Sequence, residues 1–201
     1  MKKTVALMGV VTLVSLPTIA IASGEPGKSA PVFSVTDLDG KPVTLNDVKG
    51  RWVALEWTNP DCPFVQKHYN SKNMQDTQRM AAGQNITWVQ INSTNPNHGE
   101  YKTPQQMKSW NSSMQALLTH ATLDTSGKAG KAYGAKTTPQ MVLISPDGKV
   151  VYNGAIDSIR SANPADIPNA TNYVKQAMAE VAAGKPVSTP STTPYGCSIK
   201  Y

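Results

Sequence analysis

The chain has 201 residues, a formal net charge of +6 and 39% hydrophobic residues, with two cysteines and three histidines. This hydrophobic fraction excludes general disorder, and two cysteines are too few for a disulfide-dense miniprotein. The basic residues are scattered singly, so no nucleic-acid groove is indicated, and the length fits one domain with a tail.

The first 22 residues are predicted to be a secretory signal peptide. A double lysine at positions 2 and 3 precedes an apolar run that closes on the small-x-small triplet Ala20-Ile21-Ala22. A positive start, a short apolar core and small residues before a cleavage site are typical of such signals, and an uncleaved anchor is the alternative. We therefore expect an exported protein of the bacterial periplasm, free of the membrane after cleavage, in a compartment that can hold thiols oxidised.

Residues 23–184 are predicted to form one α/β domain. In chain order the pattern predicts a hairpin over 32–35 and 43–45, a helical turn over 46–50, a buried strand over 51–57, a helix from Pro63 to about Met80, a strand over 86–91, a helix from Pro104 to about His120, a short helix over 127–134, a hairpin over 140–145 and 150–155, and a helix over 169–183. Because strands joined through helices usually lie parallel, this order requires a central mixed sheet flanked by helices.

Residues 185–201 are predicted to form a semi-extended C-terminal tail. They hold three prolines and five serine or threonine residues before Cys197. A proline-rich chain advances about 3.1 Å per residue, and a domain of this size has a radius of gyration of about 15 Å. The tail is therefore long enough to carry Cys197 to the face of the domain that holds the other cysteine.

The segment WTNPDCPFV holds the sharpest chemical signal in the chain. Proline suits the first position of a helix and restricts the residue before it, so Cys62 is predicted to be the N-cap of a helix that starts at Pro63. We expect its sulfur to be exposed and aimed at the free amides of Phe64 and Val65. The helix dipole then lowers its pKa, while Asp61 acts in the opposite direction. A small apolar cysteine packed in the core is the alternative.

This strand-Trp-x-x-x-x-Cys-Pro-helix unit, with Thr138-Pro139 before a later strand, resembles the thioredoxin fold. More narrowly, TNPDCPFVQKHY together with the closing GCSIKY is similar to the peroxiredoxin-like redoxin family, over nearly all of the chain after the signal. The resemblance implies a cis peptide bond before Pro139, facing Cys62, and a Thr138 backbone that pairs with an extended thiol substrate. Pro63 is expected to line the same site. Trp57 can shield the site, although an aromatic residue on a strand is more often part of the core.

Two departures from the family limit what the resemblance implies. A thioredoxin has its second cysteine three residues after the first, and that position holds Val65. A peroxiredoxin has threonine three residues and proline seven residues before its peroxidatic cysteine, where this chain has Asn59 and Leu55. Dithiol exchange within one helical turn is therefore impossible, and efficient peroxidase activity is not expected.

The second thiol, Cys197, has several possible roles. It can resolve a sulfenic acid or mixed disulfide on Cys62 and release the product. It can instead form a permanent disulfide with Cys62, which would leave the site silent, or it can pair elsewhere or with another chain.

Glu56 lies six residues before Cys62 and, by the same resemblance, matches a buried carboxylate thought to shuttle protons to the thioredoxin dithiol. Burial would raise its pKa and make it a proton acceptor. A solvent-facing edge carboxylate is the alternative, because strand parity alone does not fix its face. Lys67 and His68 can favour a thiolate on Cys62, but a solvated helix face is the preferred interpretation of these two residues.

We predict a thiol-dependent oxidoreductase of the antioxidant type, in which Cys62 attacks a peroxide or a disulfide. Cys197 or an unidentified external thiol reductant then resolves the adduct. The first alternative is a non-catalytic binding module that keeps the groove around Pro139. The second is a periplasmic carrier of copper or another metal, although no paired ligand spacing indicates a metal site and no cofactor is predicted.

Overall fold

The computed structural model describes residues 23–201, and the predicted signal peptide lies outside the described residues. The elements in chain order are β1 (Ser34–Asp37), β2 (Pro42–Thr44), α1 (Leu45–Val48), β3 (Val53–Trp57), α2 (Pro63–Asn70), α3 (Asn73–Gly83), β4 (Thr87–Asn92), α4 (Pro104–Met114), β5 (His120–Leu123), α5 (Lys128–Ala132), β6 (Thr137–Thr138), β7 (Gln140–Ile144), β8 (Val150–Gly154), a 3₁₀ helix (Pro164–Asn169), α6 (Tyr173–Ala182) and β9 (Cys197–Ser198). Across residues 23–201, every helix is too short or too polar to cross a bilayer.

Seven of these strands form one mixed sheet in the order β2-β1-β5-β4-β3-β7-β8. β3 pairs parallel with β4 and antiparallel with β7, while β4 pairs parallel with β5. The predicted mixed sheet is therefore confirmed, as are its two hairpins, β1–β2 and β7–β8. β6 and β9 form a separate antiparallel pair.

β3 is the central strand, and all five of its residues are buried. Because side chains alternate along a strand, β3 contributes to the core on both faces of the sheet. Leu55 and Trp57 belong to an apolar cluster with Tyr133, whereas Ala54 belongs to a second cluster that also contains Cys62. The cysteine therefore lies on the Ala54 face of the sheet.

The single helix predicted from Pro63 to about Met80 is wrong, because the structure has two helices, α2 and α3. Lys72 separates them with a φ of 65°, in the left-handed region that ends α-helical geometry. The side-chain Nδ2 atom of Asn73, the next residue, contacts the Nδ1 atom of His68 at 2.8 Å. This contact between the end of α2 and the start of α3 helps to hold the bend, and no proline or glycine marks the bend in the sequence.

The helix predicted to reach His120 is also shorter than expected. Its start is confirmed, since the Thr103 hydroxyl accepts from an amide of the first turn. α4 ends at Met114 because Gln115 has a φ of 56°. Leu117 lies in the connection that follows, and His120 begins β5, where it pairs in register with β4.

The C-terminal tail docks onto the domain. β9 pairs antiparallel with β6, in the register Thr137 to Ser198 and Thr138 to Cys197. Further back along the tail, the carbonyl of Pro190 accepts the amide of Asn153 at 3.0 Å. The composition of the tail predicts its extended form, but these contacts depend on the folded domain.

Candidate active site

Cys62 is the N-cap of α2, as predicted, and Pro63 occupies the first helical position. The carbonyl of Cys62 accepts the amides of Val65 and Gln66, both at 3.0 Å. Its sulfur makes no capping bond to the helix amides, so that expectation is wrong. The thiol instead donates to the carbonyl oxygen of Thr138 at 3.0 Å.

The expected exposure of Cys62 is also wrong, since the residue is only 1% exposed. It belongs to a buried apolar cluster with Val65 and Met141, and the half-buried Cys197 packs against the same cluster. The sequence does not show that the tail lies over the start of the helix. An external molecule therefore reaches the Cys62 sulfur only when part of this cover moves.

The Thr138–Pro139 peptide bond is cis, as the family resemblance implies. Pro139 is buried, and the hydrogen bond to the Thr138 carbonyl brings the Cys62 thiol to this bond. The resemblance assigns the Thr138 backbone to an extended substrate. In this structure Thr138 pairs with Cys197 of the chain's own tail.

Gly196 permits the close approach of the tail to the cis bond. Its φ is 138°, a conformation that residues with a side chain rarely adopt. A Cβ atom built at this position would lie 1.9 Å from the Thr138 carbonyl oxygen. The residue before Cys197 must therefore be glycine for the tail to lie where it does.

Cys197 lies beside Cys62, and both are free thiols. Burial raises the pKa of Cys197 to about 12, and the neighbouring Cys62 thiol acts in the same direction. Cys197 is therefore protonated at neutral pH, and a protonated thiol is a poor nucleophile. The thiols of Cys62 and Cys197, which are far apart in the sequence, thus lie in one site and can form a disulfide bond.

Glu56 is fully buried, so the solvent-facing alternative is wrong. Its carboxylate accepts the Tyr69 hydroxyl and the Trp88 indole N–H, both at 2.8 Å, and the Gln78 amide at 3.3 Å. Burial raises the pKa of Glu56, and these donors oppose the rise by stabilising the charged form. None of these hydrogen bonds reaches Cys62.

Trp57 does not shield the cysteine, so the shielding role is corrected and the alternative of a core residue holds. The residue is fully buried on the opposite face of β3, its indole N–H donates to Ser93 at 3.2 Å, and its ring packs against Tyr133 at a centroid distance of 5.6 Å. The alternation of side chains along the strand separates Trp57 from the site. Pro63, by contrast, is exposed beside Cys62.

Lys67 and His68 are both buried, so their assignment to a solvated helix face is wrong. The Lys67 ammonium contacts the carboxylate of Asp157 at 3.0 Å, across 90 positions of sequence. Burial lowers the pKa of His68 to about 4, against the opposing attraction of Asp157 and with a further lowering by Lys67. The hydroxyl of Tyr195, from the tail, lies 3.5 Å from the His68 Nε2 atom.

Sequence reasoning missed Asp157 and Tyr195, because neither lies in a motif. The structure places both beside α2. There they contact Lys67 and His68, the fifth and sixth residues after Cys62. In the part of the chain described here, no group of three or more His, Cys, Asp and Glu side chains could hold a metal ion.

A family model described as the AhpC/TSA family matches residues 26–153. The thiol-disulfide oxidoreductase ResA of Bacillus thuringiensis subsp. konkukian is 30% identical over 127 residues, which are 63% of this chain and 68% of the relative. The tail with Cys197 lies beyond the residues that the family model matches.

Two solved structures resemble the chain as a fold. A conserved protein of Geobacillus kaustophilus is 26% identical, with a TM-score of 0.75 over 94% of this chain and 98% of the other. The thioredoxin domain of a thiol-disulfide oxidoreductase from Bacteroides vulgatus is 20% identical, with a TM-score of 0.51 over 72% of this chain and 96% of the other. The predicted thioredoxin-like fold is therefore confirmed.

Proposed function

Because this chain belongs to the AhpC/TSA family, we propose that it is a thiol-dependent oxidoreductase whose redox pair is Cys62 and Cys197. The observation that carries the proposal is the contact between the two thiols beneath the Thr138 carbonyl. One thiol begins a helix, and the other belongs to a strand that pairs beside it. A disulfide substrate is favoured because a relative is named for thiol-disulfide exchange. A peroxide is disfavoured because Asn59 and Leu55 replace the peroxidatic pattern.

The proposed cycle transfers two electrons from the protein to a disulfide. The Cys62 thiolate attacks one substrate sulfur, the substrate S–S bond breaks, and the first half leaves as a thiolate that takes up a proton. The Cys197 sulfur then attacks Cys62 in the mixed disulfide and loses its own proton. The second half leaves as a thiol, and an external thiol reductant reopens the Cys62–Cys197 bond.

Glu56 is the proposed proton acceptor in this cycle. It projects from the same face of β3 as Ala54, whose cluster contains Cys62. Its pKa is raised by burial, which makes it a stronger base than an exposed carboxylate. We assign substrate contact to the exposed Pro63 and to the Thr138–Pro139 segment, which the tail covers in the reduced protein.

We further propose that the protein is exported to the bacterial periplasm. The charged start and apolar run of residues 1–22 support a signal peptide, which would leave a redoxin domain over 23–184 and a tail over 185–201. An oxidising compartment suits a protein whose two cysteines alternate between thiol and disulfide.

Thiol trapping with mass spectrometry tests the redox pair in the purified protein and in Cys62→Ser and Cys197→Ser variants. A small disulfide such as oxidised glutathione should convert the protein to a Cys62–Cys197 disulfide that dithiothreitol reopens. The reaction of Cys197→Ser should stop at a mixed disulfide on Cys62. A variant with both substitutions gives the background signal of the trapping reaction.

Two results would contradict the proposal. Failure to form the internal bond would favour a binding module that only uses the groove. A bond that resists dithiothreitol in the folded protein would make the pair a permanent crosslink.

A further inference from the structure

A buried ion pair lies where the tail passes over α2. The Lys67 ammonium contacts the Asp157 carboxylate at 3.0 Å, and the two side chains are 0% and 1% exposed. Removing two charges from water is costly, and their attraction compensates only when additional hydrogen bonds satisfy the remaining polar atoms. The Ile159 carbonyl accepts one such bond from Lys67 at 2.8 Å. The other partner of this pair comes from the tail.

That partner is Tyr195, which is 4% exposed, whereas every other residue from 185 to 201 is at least partly exposed. Its hydroxyl donates to the second oxygen of Asp157 and accepts from the Lys67 ammonium at 3.2 Å. Its ring packs edge to face against Phe64 at a centroid distance of 5.8 Å. One tail residue thus completes the hydrogen bonding of a charged pair inside the domain.

We propose that the Lys67–Asp157 pair is a latch for the tail, and that Tyr195 is a positioning residue for the Cys197 thiol. This inference rests on the proposed function of the two cysteines. Tyr195 lies two residues before Cys197, and Lys67 lies in the helix that Cys62 caps. The same helix therefore carries the attacking sulfur and the anchor of the segment that delivers the second sulfur.

The strand pairing at the site needs such an anchor. β6 and β9 are two residues long, and Gly196, which precedes β9, is a flexible residue. A two-residue ladder is too short to be stable by itself. Without the latch, a reduced tail leaves the site for part of the time, whereas the disulfide keeps it there covalently. The latch therefore favours the disulfide over the dithiol.

The test is the redox equilibrium of Tyr195→Phe, which loses only the hydroxyl. The protein and the variant are equilibrated in glutathione buffers, quenched by alkylation, and the Cys62–Cys197 disulfide is quantified by mass spectrometry. We expect the equilibrium constant for forming the disulfide to fall by up to about tenfold, because losing a hydrogen bond to charged groups lowers the fraction of the reduced tail that is docked. Tyr173→Phe is the matched control and should not move it. Tyr173 is half-buried, and the hydrogen bonds of Lys67 and Asp157 go to other residues.

The outcomes separate the two proposals. An unchanged equilibrium constant in Tyr195→Phe overturns the latch and leaves the redox pair intact, whereas absence of the disulfide from the unmodified protein overturns the redox pair itself. Should Tyr195→Phe not fold, Phe64→Leu gives a second test, because it removes the ring contact and keeps the buried charges. It should lower the constant by a smaller factor, and no change there would also overturn the latch.

Discussion

The molecule buries two carboxylates in different ways. Glu56 accepts only neutral donors, among them Trp88, and its burial raises its pKa. Asp157 contacts the ammonium of Lys67 and the hydroxyl of Tyr195. The first arrangement keeps a carboxylate that can take up a proton inside the domain. The second uses a carboxylate as a fixed charge that joins the domain to its tail.

The difference shows how surroundings select the role of one functional group. Desolvation without a cation favours the neutral acid, so Glu56 is suited to proton transfer. A paired cation stabilises the charged form of a carboxylate, so Asp157 is suited to hold other groups in place. Three variants test this distinction, in order of decreasing expected effect.

Lys67→Met should have the largest effect, because it leaves the Asp157 carboxylate buried without its cation. We expect the free energy of unfolding to fall by about 3–5 kcal/mol, measured by urea denaturation. Lys128→Met, at an exposed helix position, should stay within about 0.5 kcal/mol of the unmodified protein. Adding Asp157→Asn to Lys67→Met should recover part of the loss. Equal free energies of unfolding for the two lysine variants would show that the ion pair does not contribute to stability.

His68 tests whether the charge of Asp157 is committed to Lys67. The pKa of His68 is about 4 in the folded protein and about 6.5 when the chain is unfolded. The unfolded chain therefore binds the proton first, and the folded state should lose up to about 3 kcal/mol as the pH falls from 6.5 to 4. His68→Gln should flatten this part of the stability curve.

The exposed His98 supplies the control for that measurement. His98→Gln should leave the slope between pH 6.5 and 4 unchanged. A slope that persists in His68→Gln would mean that His68 does not cause it. In that case Asp157 would hold the His68 imidazole of the unmodified protein in its charged form.

Glu56→Gln should have the smallest effect, within about 1 kcal/mol below pH 4.5, because both side chains are then neutral and both accept hydrogen bonds. The raised pKa means that the folded state binds the proton more tightly than the unfolded chain. The stability that Glu56 contributes is therefore complete below about pH 4.5, the ordinary glutamate value, and is lost as the pH rises through the raised pKa. Over that pH range, the free energy of unfolding of Glu56→Gln should therefore rise relative to that of the unmodified protein.

Glu180→Gln is the matched control for this slope. Hydrogen bonds from Ser188 lower the pKa of Glu180, so its substitution should change the pH dependence in the opposite direction. Parallel stability curves for Glu56→Gln and the unmodified protein would contradict an elevated pKa at the central strand.

The parts of the site that sequence could predict are those with local causes. Pro63 restricts the residue before it and suits the first turn of a helix, so the N-cap position of Cys62 follows from the Cys-Pro pair alone. The continuous apolar run of β3 predicts a strand buried on both faces, but the sequence leaves both a buried and a solvent-facing position open for Glu56. The cis bond at Thr138 has no local signature and came only from the family resemblance.

The parts that sequence could not predict depend on distant partners. A lysine next to a histidine on a helix is typical of a solvated face, and Lys67 is buried only because Asp157 and Tyr195, from two other segments, contact its ammonium. The exposure expected for Cys62 fails for the same reason, because the tail covers it through contacts that its composition does not encode. The break between α2 and α3 at Lys72 likewise has no proline or glycine to mark it in the sequence.

The pairing of Cys197 with Thr138 gives the edge of β6 a resident competitor. A segment of the same chain competes for this edge as though it were dissolved at about millimolar concentration. A free extended peptide of equal intrinsic affinity must therefore reach about 1 mM before it displaces half of the tail. A small disulfide that does not pair with β6 avoids this competition for the strand edge, but it too reaches the buried Cys62 sulfur only when the cover moves.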